Sequence, residues 1–328
     1  MPRVLCSVIE MIEKPGRWKE ILESAGLEVV CRPADVSLHD PDLLIRYLQG
    51  VDAVIAGLEP INRRVLTSAR LRAVARYGVG YDAVDVPTAT EQGVAVTITP
   101  GVNHVSVAEH ALALMLGVTR GFPRRDWAVR DGSWHRSYLP RLAGKTLGLV
   151  GLGRIAKALV PRAQALELRV IAHDPFPDRQ FAAASGVRLC ELDEIWAEAD
   201  VISLHLPCTA ATTRLINRDT LARMRRGAVL INTARGGLVD EDALAEALTS
   251  GQLAAAGLDA FVVEPLPTTS PLAKLNNVLL SPHIAGQDHD SIEAMGCLTS
   301  ECIARLYQGE PLREGCLVNT SLGPNWRW

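Results

Sequence analysis

The stretch TLGLVGLGRIAKAL, residues 146–159, constrains the fold of this chain more than any other. An apolar run enters Gly151-Leu152-Gly153 and leaves as a helix; a second apolar run, RVIAHD, ends on Asp174. Strand, glycine turn, helix and strand make a βαβ unit. Gly151 suits the tight turn. Gly153 lets the backbone approach a pyrophosphate, which then sits at a helix N-terminus where free N–H groups and the dipole favour an anion. The third position of the pattern holds Ala156, which it tolerates. Asp174 stands about 20 residues past the glycines, where a carboxylate accepts hydrogen bonds from ribose hydroxyls and repels a 2′-phosphate. The pattern therefore predicts a dinucleotide site for NAD rather than NADP. The plainer alternative is a glycine turn that only packs a helix closely on a sheet.

With 328 residues the chain has room for two domains and a large core. Its 48% hydrophobic and 22% charged residues are those of a globular protein. A net charge of −3 gives no electrostatic case for a nucleic-acid partner or an anionic membrane. No uninterrupted apolar run reaches the length of a membrane span. The N-terminus, MPRVLCSVIEMIEK, carries acids in its apolar stretch and no small-residue cleavage site, so it reads as a first strand. Seven scattered cysteines without a CxxC pair predict thiols that are mostly buried and reduced, in a cytoplasmic protein, not a disulfide frame or a structural zinc. His173, His205, His104 and His110 show no HExxH-type spacing, so no metal is expected.

Strand-like and helix-like segments alternate throughout. Strands are predicted over 4–8, 27–30, 53–57, 71–76 and 94–98, and again over 146–151, 169–174, 187–190, 201–205, 228–232, 253–259 and 277–282. Short apolar strands between helices imply parallel sheets covered on both faces. The fold class is α/β, with two doubly wound parallel-sheet domains. The glycine motif opens its own domain near residue 146, so the earlier strands belong to another. The expected division is 1–101 plus 288–328 for the first domain and 102–287 for the dinucleotide-binding one. A long helical segment after Pro100-Gly101 would join them, and the last helix, 291–309, could cross back to the first. Ser106 and Glu109 have the spacing of a capping box at the start of that joining helix. The tail SLGPNWRW ends in two tryptophans that suit packing on the chain's own surface or on a partner.

Four segments downstream of the glycine loop each follow a strand end, where open α/β sheets place ligands. They are HLPCTAATTRLIN, INTARGGLVDEDAL, GLDAFVVEP and LSPHIAG. Arg235 could grip a carboxylate with two parallel hydrogen bonds, or be an ordinary loop arginine. Glu264, in a largely apolar setting, is expected to have a raised pKa and to stabilise an imidazolium, or to be a loop acid or helix cap. His283 could exchange the proton of a reacting hydroxyl, or be a structural histidine. Together beside a nicotinamide site they meet the needs of 2-hydroxy acid oxidation.

At this point a family resemblance is plain. VGLGRIA, HLPCT, INTARGGLVDEDAL, GLDAFVVEP and SPHIAG closely resemble the D-isomer-specific 2-hydroxyacid dehydrogenases. ARYGVGYDAVD and TPGVNHVSVAEH resemble motifs of the 3-phosphoglycerate dehydrogenase branch, here without a regulatory domain. The resemblance implies a flavodoxin-like substrate domain, a Rossmann NAD-binding domain and an active site in the cleft between them. It implies catalytic roles for Arg235, Glu264 and His283. It places substrate contacts at Val79 and Gly80, whose N–H groups would hold a carboxylate, with Arg76, Arg235 and His283. It places cofactor contacts at Ser106, Gly151, Gly153, Arg154, Ile155, Asp174, Pro207, Thr212, Thr233, Ala234, Asp259 and Gly286. Asp259 would meet the nicotinamide carboxamide. A homodimer is implied, and the segments HALALMLGVTRG and RDWAVRDGSWHRSYLPRL carry residue types found in interface cores.

The expected reaction interconverts a small D-2-hydroxy acid and its 2-oxo acid. Ala56 stands where several phosphoglycerate enzymes present an arginine, which weighs against a phosphorylated substrate, while Arg76, Arg63 and Arg64 keep positive charge nearby. Two alternatives stay open. One is phosphite oxidation on the same fold; Glu264 stands where formate enzymes resembling this family carry glutamine. The other is a non-catalytic NAD-sensing scaffold.

Overall fold

The computed structural model of the chain describes residues 1–14, 16–136, 138–323 and 326–328. The chain divides into two compact units, Met1–Asn103 with Gln287–Trp328, and His104–Gly286.

The first unit holds five parallel strands: β1 (Arg3–Cys6), β2 (Glu28–Cys31), β3 (Ala53–Ala56), β4 (Ala73–Arg76) and β5 (Ala95–Thr97). Their order is β2-β1-β3-β4-β5, the flavodoxin-like arrangement. Every residue of β3 and of β4 is buried, as expected for strands covered on both faces. Side-chain caps start the intervening helices: Asp40 accepts from the Asp42 N–H at 2.9 Å, Asn62 from Val65 at 3.1 Å and Asp85 from Thr88 at 3.0 Å. The last helix, His289–Gln308, belongs to this unit and packs on the helix Arg17–Ser24 and on β4. The terminal tryptophans settle on the unit's own surface. Trp326 donates to the Gly93 carbonyl at 2.7 Å, and Trp328 meets Tyr307 edge to face at 5.5 Å.

The second unit holds seven parallel strands: β6 (Thr146–Val150), β7 (Arg169–His173), β8 (Arg188–Leu189), β9 (Val201–Leu204), β10 (Ala228–Asn232), β11 (Leu253–Leu258) and β12 (Val278–Leu280). Their order, β12-β11-β10-β9-β6-β7-β8, reverses direction at β6, which is the Rossmann switch point. The helix Arg154–Ala165 follows β6 and covers one face with Leu159, Val160 and Ala163, all buried. The opposite face packs Ile195, Trp196, Leu230, Leu244 and Leu248.

Two expectations change. The joining helix starts at His104, so Ser106 lies inside its first turn rather than at a cap. Asn103, a residue type favoured at caps, stands just before it. Glu109 instead pairs with Arg162 at 3.0 Å, tying that helix to Arg154–Ala165. The cysteines are all free, but only Cys6, Cys302 and Cys316 are buried; Cys31 is exposed, on an edge strand. Among the described residues no helix is long and apolar enough to cross a membrane.

Leu230 lies on β10, inside the sheet, with no exposed surface. Leu230→Ala should cost the second unit about 2–5 kcal/mol, read as a lowered urea midpoint at unchanged slope.

Candidate active site

All seven strands of the second unit point the same way, so their C-terminal ends deliver the site residues to one edge of the sheet. After β6 the chain turns through Gly151 at φ 96°, a conformation that favours glycine. A Cβ there would stand 2.4 Å from the His205 carbonyl oxygen, so this position admits no side chain. Gly153 precedes the helix Arg154–Ala165 without a side-chain cap, and a Cβ on it would meet nothing within 4 Å. The first N–H groups of that helix are thus left for an anion. Arg154 is exposed at the first helical position, and Ile155 packs against the core behind it. Asp174, just past β7, accepts from the Leu152 N–H at 2.7 Å and from Phe176 at 2.8 Å. It therefore pins the glycine loop to the end of the neighbouring strand.

Beyond β9, Pro207 and Thr212 form a self-contained turn. Thr212 Oγ1 donates to the Pro207 carbonyl at 2.7 Å and accepts from Thr209 at the same distance. Desolvation lowers the pKa of His205 to about 4, so it is neutral. Beyond β10, Thr233 is buried, and its Oγ1 has no hydrogen-bond partner among the described residues. A buried orphan hydroxyl costs stability unless something else bonds it. With the open Gly153 cradle and Asp174, it fits these strand ends to a dinucleotide.

The next turn carries Arg235. Asn232, 1% exposed, donates to the Arg235 carbonyl at 2.9 Å and accepts from the Ala234 N–H at 3.0 Å. Arg235 itself donates to the Ala234 carbonyl at 2.7 Å. A Cβ on Gly236 would lie 1.9 Å from the Phe261 carbonyl carbon, so glycine lets the β10 and β11 loops touch. That contact brings Arg235 close enough to Glu264 to act on its charge.

Glu264 and His283 form the centre. Glu264 Oε2 stands 2.7 Å from His283 Nδ1, and Glu264 Oε1 accepts from the Phe261 N–H at 2.9 Å. Both side chains are roughly three-quarters covered, at 26% and 30% exposure. The expected rise in the Glu264 pKa does not occur. Burial pushes it up, but the bonds from His283 and Phe261 and the charges of His283 and Arg235 outweigh burial and hold it below the usual value. Asp259 is 1% exposed and accepts from Ser281 Oγ at 2.6 Å, Ile284 N–H at 3.0 Å and Ala285 N–H at 2.9 Å. Burial raises its pKa, yet these bonds and the nearby His110 ring hold it down too. Gly286 closes the unit just after this turn. Asn232 and Ser281 are absent from the sequence-based set. The signal for Asn232 was an amide ending an otherwise apolar strand.

In the first unit, Val79 is 42% exposed. Arg76 is 4% exposed and donates to the carbonyls of Gly80 at 3.1 Å and Ala56 at 2.7 Å. Arg63 pairs with Glu91 at 2.8 Å, and Arg64 with Asp42. Among the described residues no group of three or more His, Cys, Asp or Glu is placed to hold a metal.

A parallel sheet that reverses at a glycine loop, with a bare helix N-terminus and an acid past the next strand, defines a Rossmann dinucleotide-binding protein. Residues 112–285 match the family model described as D-isomer specific 2-hydroxyacid dehydrogenase, NAD binding domain. The chain is 39% identical to a D-3-phosphoglycerate dehydrogenase of Archaeoglobus fulgidus over 274 residues, 82% of this chain and 52% of that protein. It is 39% identical to a glyoxylate reductase of Korarchaeum cryptofilum over 276 residues, 82% of this chain and 83% of that protein. The crystal structure of the TT0316 protein from Thermus thermophilus matches at 38% identity with a TM-score of 0.85, covering 96% of this chain and 99% of that one. The chain spans about half the length of the curated phosphoglycerate dehydrogenases it matches. It belongs to the D-isomer specific 2-hydroxyacid dehydrogenase family, and its cofactor is NAD.

Asp174→Ala should lower the NAD/NADP ratio of binding constants at least about tenfold, or about 1.4 kcal/mol. Titration calorimetry with both cofactors checks it, and an unchanged ratio removes Asp174 from cofactor choice.

Proposed function

We propose that this chain is an NAD-dependent dehydrogenase that interconverts a small D-2-hydroxy acid and its 2-oxo acid. The observation that carries the reading is the 2.7 Å bond between Glu264 and His283 Nδ1, with Arg235 beside it at the same edge of the sheet. Because Nδ1 is engaged, Nε2 is the nitrogen left to take the hydroxyl proton in oxidation and return it in reduction. Glu264, ionised, stabilises the imidazolium so formed. Arg235 holds the substrate carboxylate and polarises the carbonyl oxygen. Bound NAD supplies the hydride acceptor, and its reduced form the donor.

The remaining roles belong to the same proposal. Gly151, Gly153, Arg154 and Ile155 hold the pyrophosphate end, and Asp174 the ribose. Ser106, Pro207, Thr212, Thr233, Ala234 and Gly286 line the rest. Among the described residues Asp259 Oδ2 bonds only Ala285, and it keeps a lone pair for the carboxamide. In the first unit, read as the substrate domain, Val79 and Gly80 offer backbone N–H groups to a carboxylate, and Arg76 shapes their loop. The favoured substrate is unphosphorylated. Arg76, buried beside the Val79–Gly80 loop, already bonds the carbonyls of Gly80 and Ala56 and is not free to meet a phosphate without breaking them.

We also propose a cytoplasmic homodimer. Seven free thiols suit a reducing compartment. Phe122, Trp127, Val129 and Trp134 are each at least 60% exposed, an apolar surface suited to a second copy. Ser137, in the same stretch, lies outside the described residues. A monomer mass by light scattering at micromolar concentration would count against the dimer.

The direct test is NAD reduction over a panel of D- and L-2-hydroxy acids, D-3-phosphoglycerate and phosphite. Turnover of an unphosphorylated D-acid is expected. A hundredfold preference for D-3-phosphoglycerate would overturn the substrate ranking, and preference for an L-acid or phosphite would overturn the reaction. His283→Ala should abolish turnover with NAD affinity retained.

Glu264→Gln should lower kcat and move the rising limb of the oxidation pH profile to lower pH. The carboxylate favours a protonated neighbouring imidazole, so removing its charge eases deprotonation. A wild-type profile in this variant would remove the proton-relay reading.

A further inference from the structure

We infer that His110 is a positioning residue for His283, acting through Ser281 and Asp259. The inference rests on the reading of His283 as the proton-transferring group.

His283 has φ 54°, in the left-handed region. A histidine there is strained and keeps that conformation only where its surroundings over-determine it. The turn is clamped on both sides. Before it, the Ser281 N–H extends the sheet to the Leu258 carbonyl at 2.9 Å, and the His283 N–H bonds the Ser281 carbonyl at 3.1 Å. After it, the N–H groups of Ile284 and Ala285 bond the two oxygens of Asp259 at 3.0 and 2.9 Å. The direction of the imidazole thus depends on where the Asp259 carboxylate sits.

What fixes Asp259 is Ser281, and what fixes Ser281 is His110. Asp259 is ionised, since its pKa is held down, so its oxygens only accept. The single hydroxyl proton of Ser281 is therefore given to Asp259 Oδ1 at 2.6 Å. His110 Nε2 lies 2.8 Å from the same Oγ and must donate to it. The same nitrogen stands 3.5 Å from Asp259 Oδ1. The bonds all run one way, from His110 to Ser281 to Asp259. Ser281 gives its proton away from His110, so this trio is no activated nucleophile. It is a brace. His110 comes from the helix His104–Thr119, which packs on β10, β11 and β12, so the brace ties the His283 turn to a rigid element.

The test compares His110→Ala, His110→Gln, Ser281→Ala and the His110→Ala/Ser281→Ala double variant. Glutamine can still donate an N–H to Ser281. Amide exchange at Ile284 and Ala285, followed by NMR without substrate, reads the brace directly. His110→Ala should speed that exchange at least about tenfold while the interior of β10 keeps its protection. Its kcat should fall about 10- to 100-fold. His110→Gln should restore both to within about threefold, and the double variant should lose no more kcat than the worse single one. Unchanged exchange at Ile284 and Ala285, failure of glutamine to rescue, or additive losses would each overturn the inference. A wild-type chain with no turnover on 2-hydroxy acids would fail the functional reading instead, and the exchange measurement would still decide the brace.

Discussion

The second unit depends on one constraint: its seven strands are all parallel. Such a sheet is covered by helices on both faces, so its strands are apolar throughout and polar chemistry is confined to their ends. The C-terminal ends share one edge. β6 brings the glycine turn there, β7 Asp174, β10 Thr233 and Arg235, β11 Asp259, and β12 leads into Ser281 and His283. No long loop is needed to gather residues separated by more than a hundred positions. The same alignment sets the helix Arg154–Ala165 with its N-terminus at that edge, where its unbonded N–H groups favour an anion.

At that edge the acids are kept ionised against the tendency of burial to neutralise them. Asp259 and Glu264 would both rise if burial acted alone. Each is instead held low by donated hydrogen bonds, three of them from backbone N–H groups whose positions the turns fix. Carboxylates with depressed pKa values contribute stability above their unfolded values and lose it as pH falls through the folded ones. The site should therefore keep its charges through neutral pH and come apart only in acid. Glu264 can neighbour an imidazole of changing charge without itself taking the proton.

Much of this was legible in the sequence because buried parallel strands read as short apolar runs. The twelve strands lie where the sequence predicted them, with ends that agree to within two residues. Arg235, Glu264 and His283 were singled out from their places after strands, and the structure brings the three near one another. The direction of the Glu264 pKa was not legible, because it depends on the Phe261 N–H and on a histidine 19 positions away. The helix start at His104 was hidden by a local pattern at Ser106 and Glu109 that the structure uses otherwise. His110 was one of several scattered histidines. Its partner, Ser281, is 171 residues distant, and only the packing of a helix on the sheet brings the two together.

The proposed preference for an unphosphorylated substrate rests on the way the first unit spends its cations. Arg63–Glu91 and Arg64–Asp42 are exposed pairs, and such pairs are worth about 0–1 kcal/mol, so a phosphate could displace their acids at little cost. Arg76 differs. Among the described residues it is the buried arginine or lysine, and it bonds the carbonyls that end β3 and close the Val79–Gly80 loop. Turning it toward a phosphoryl group would strip both carbonyls, at about 1–3 kcal/mol for each buried group left unsatisfied. On that proposal a plain hydroxy acid needs no such change, since a carboxylate held by backbone N–H groups would leave Arg76 where the fold has put it.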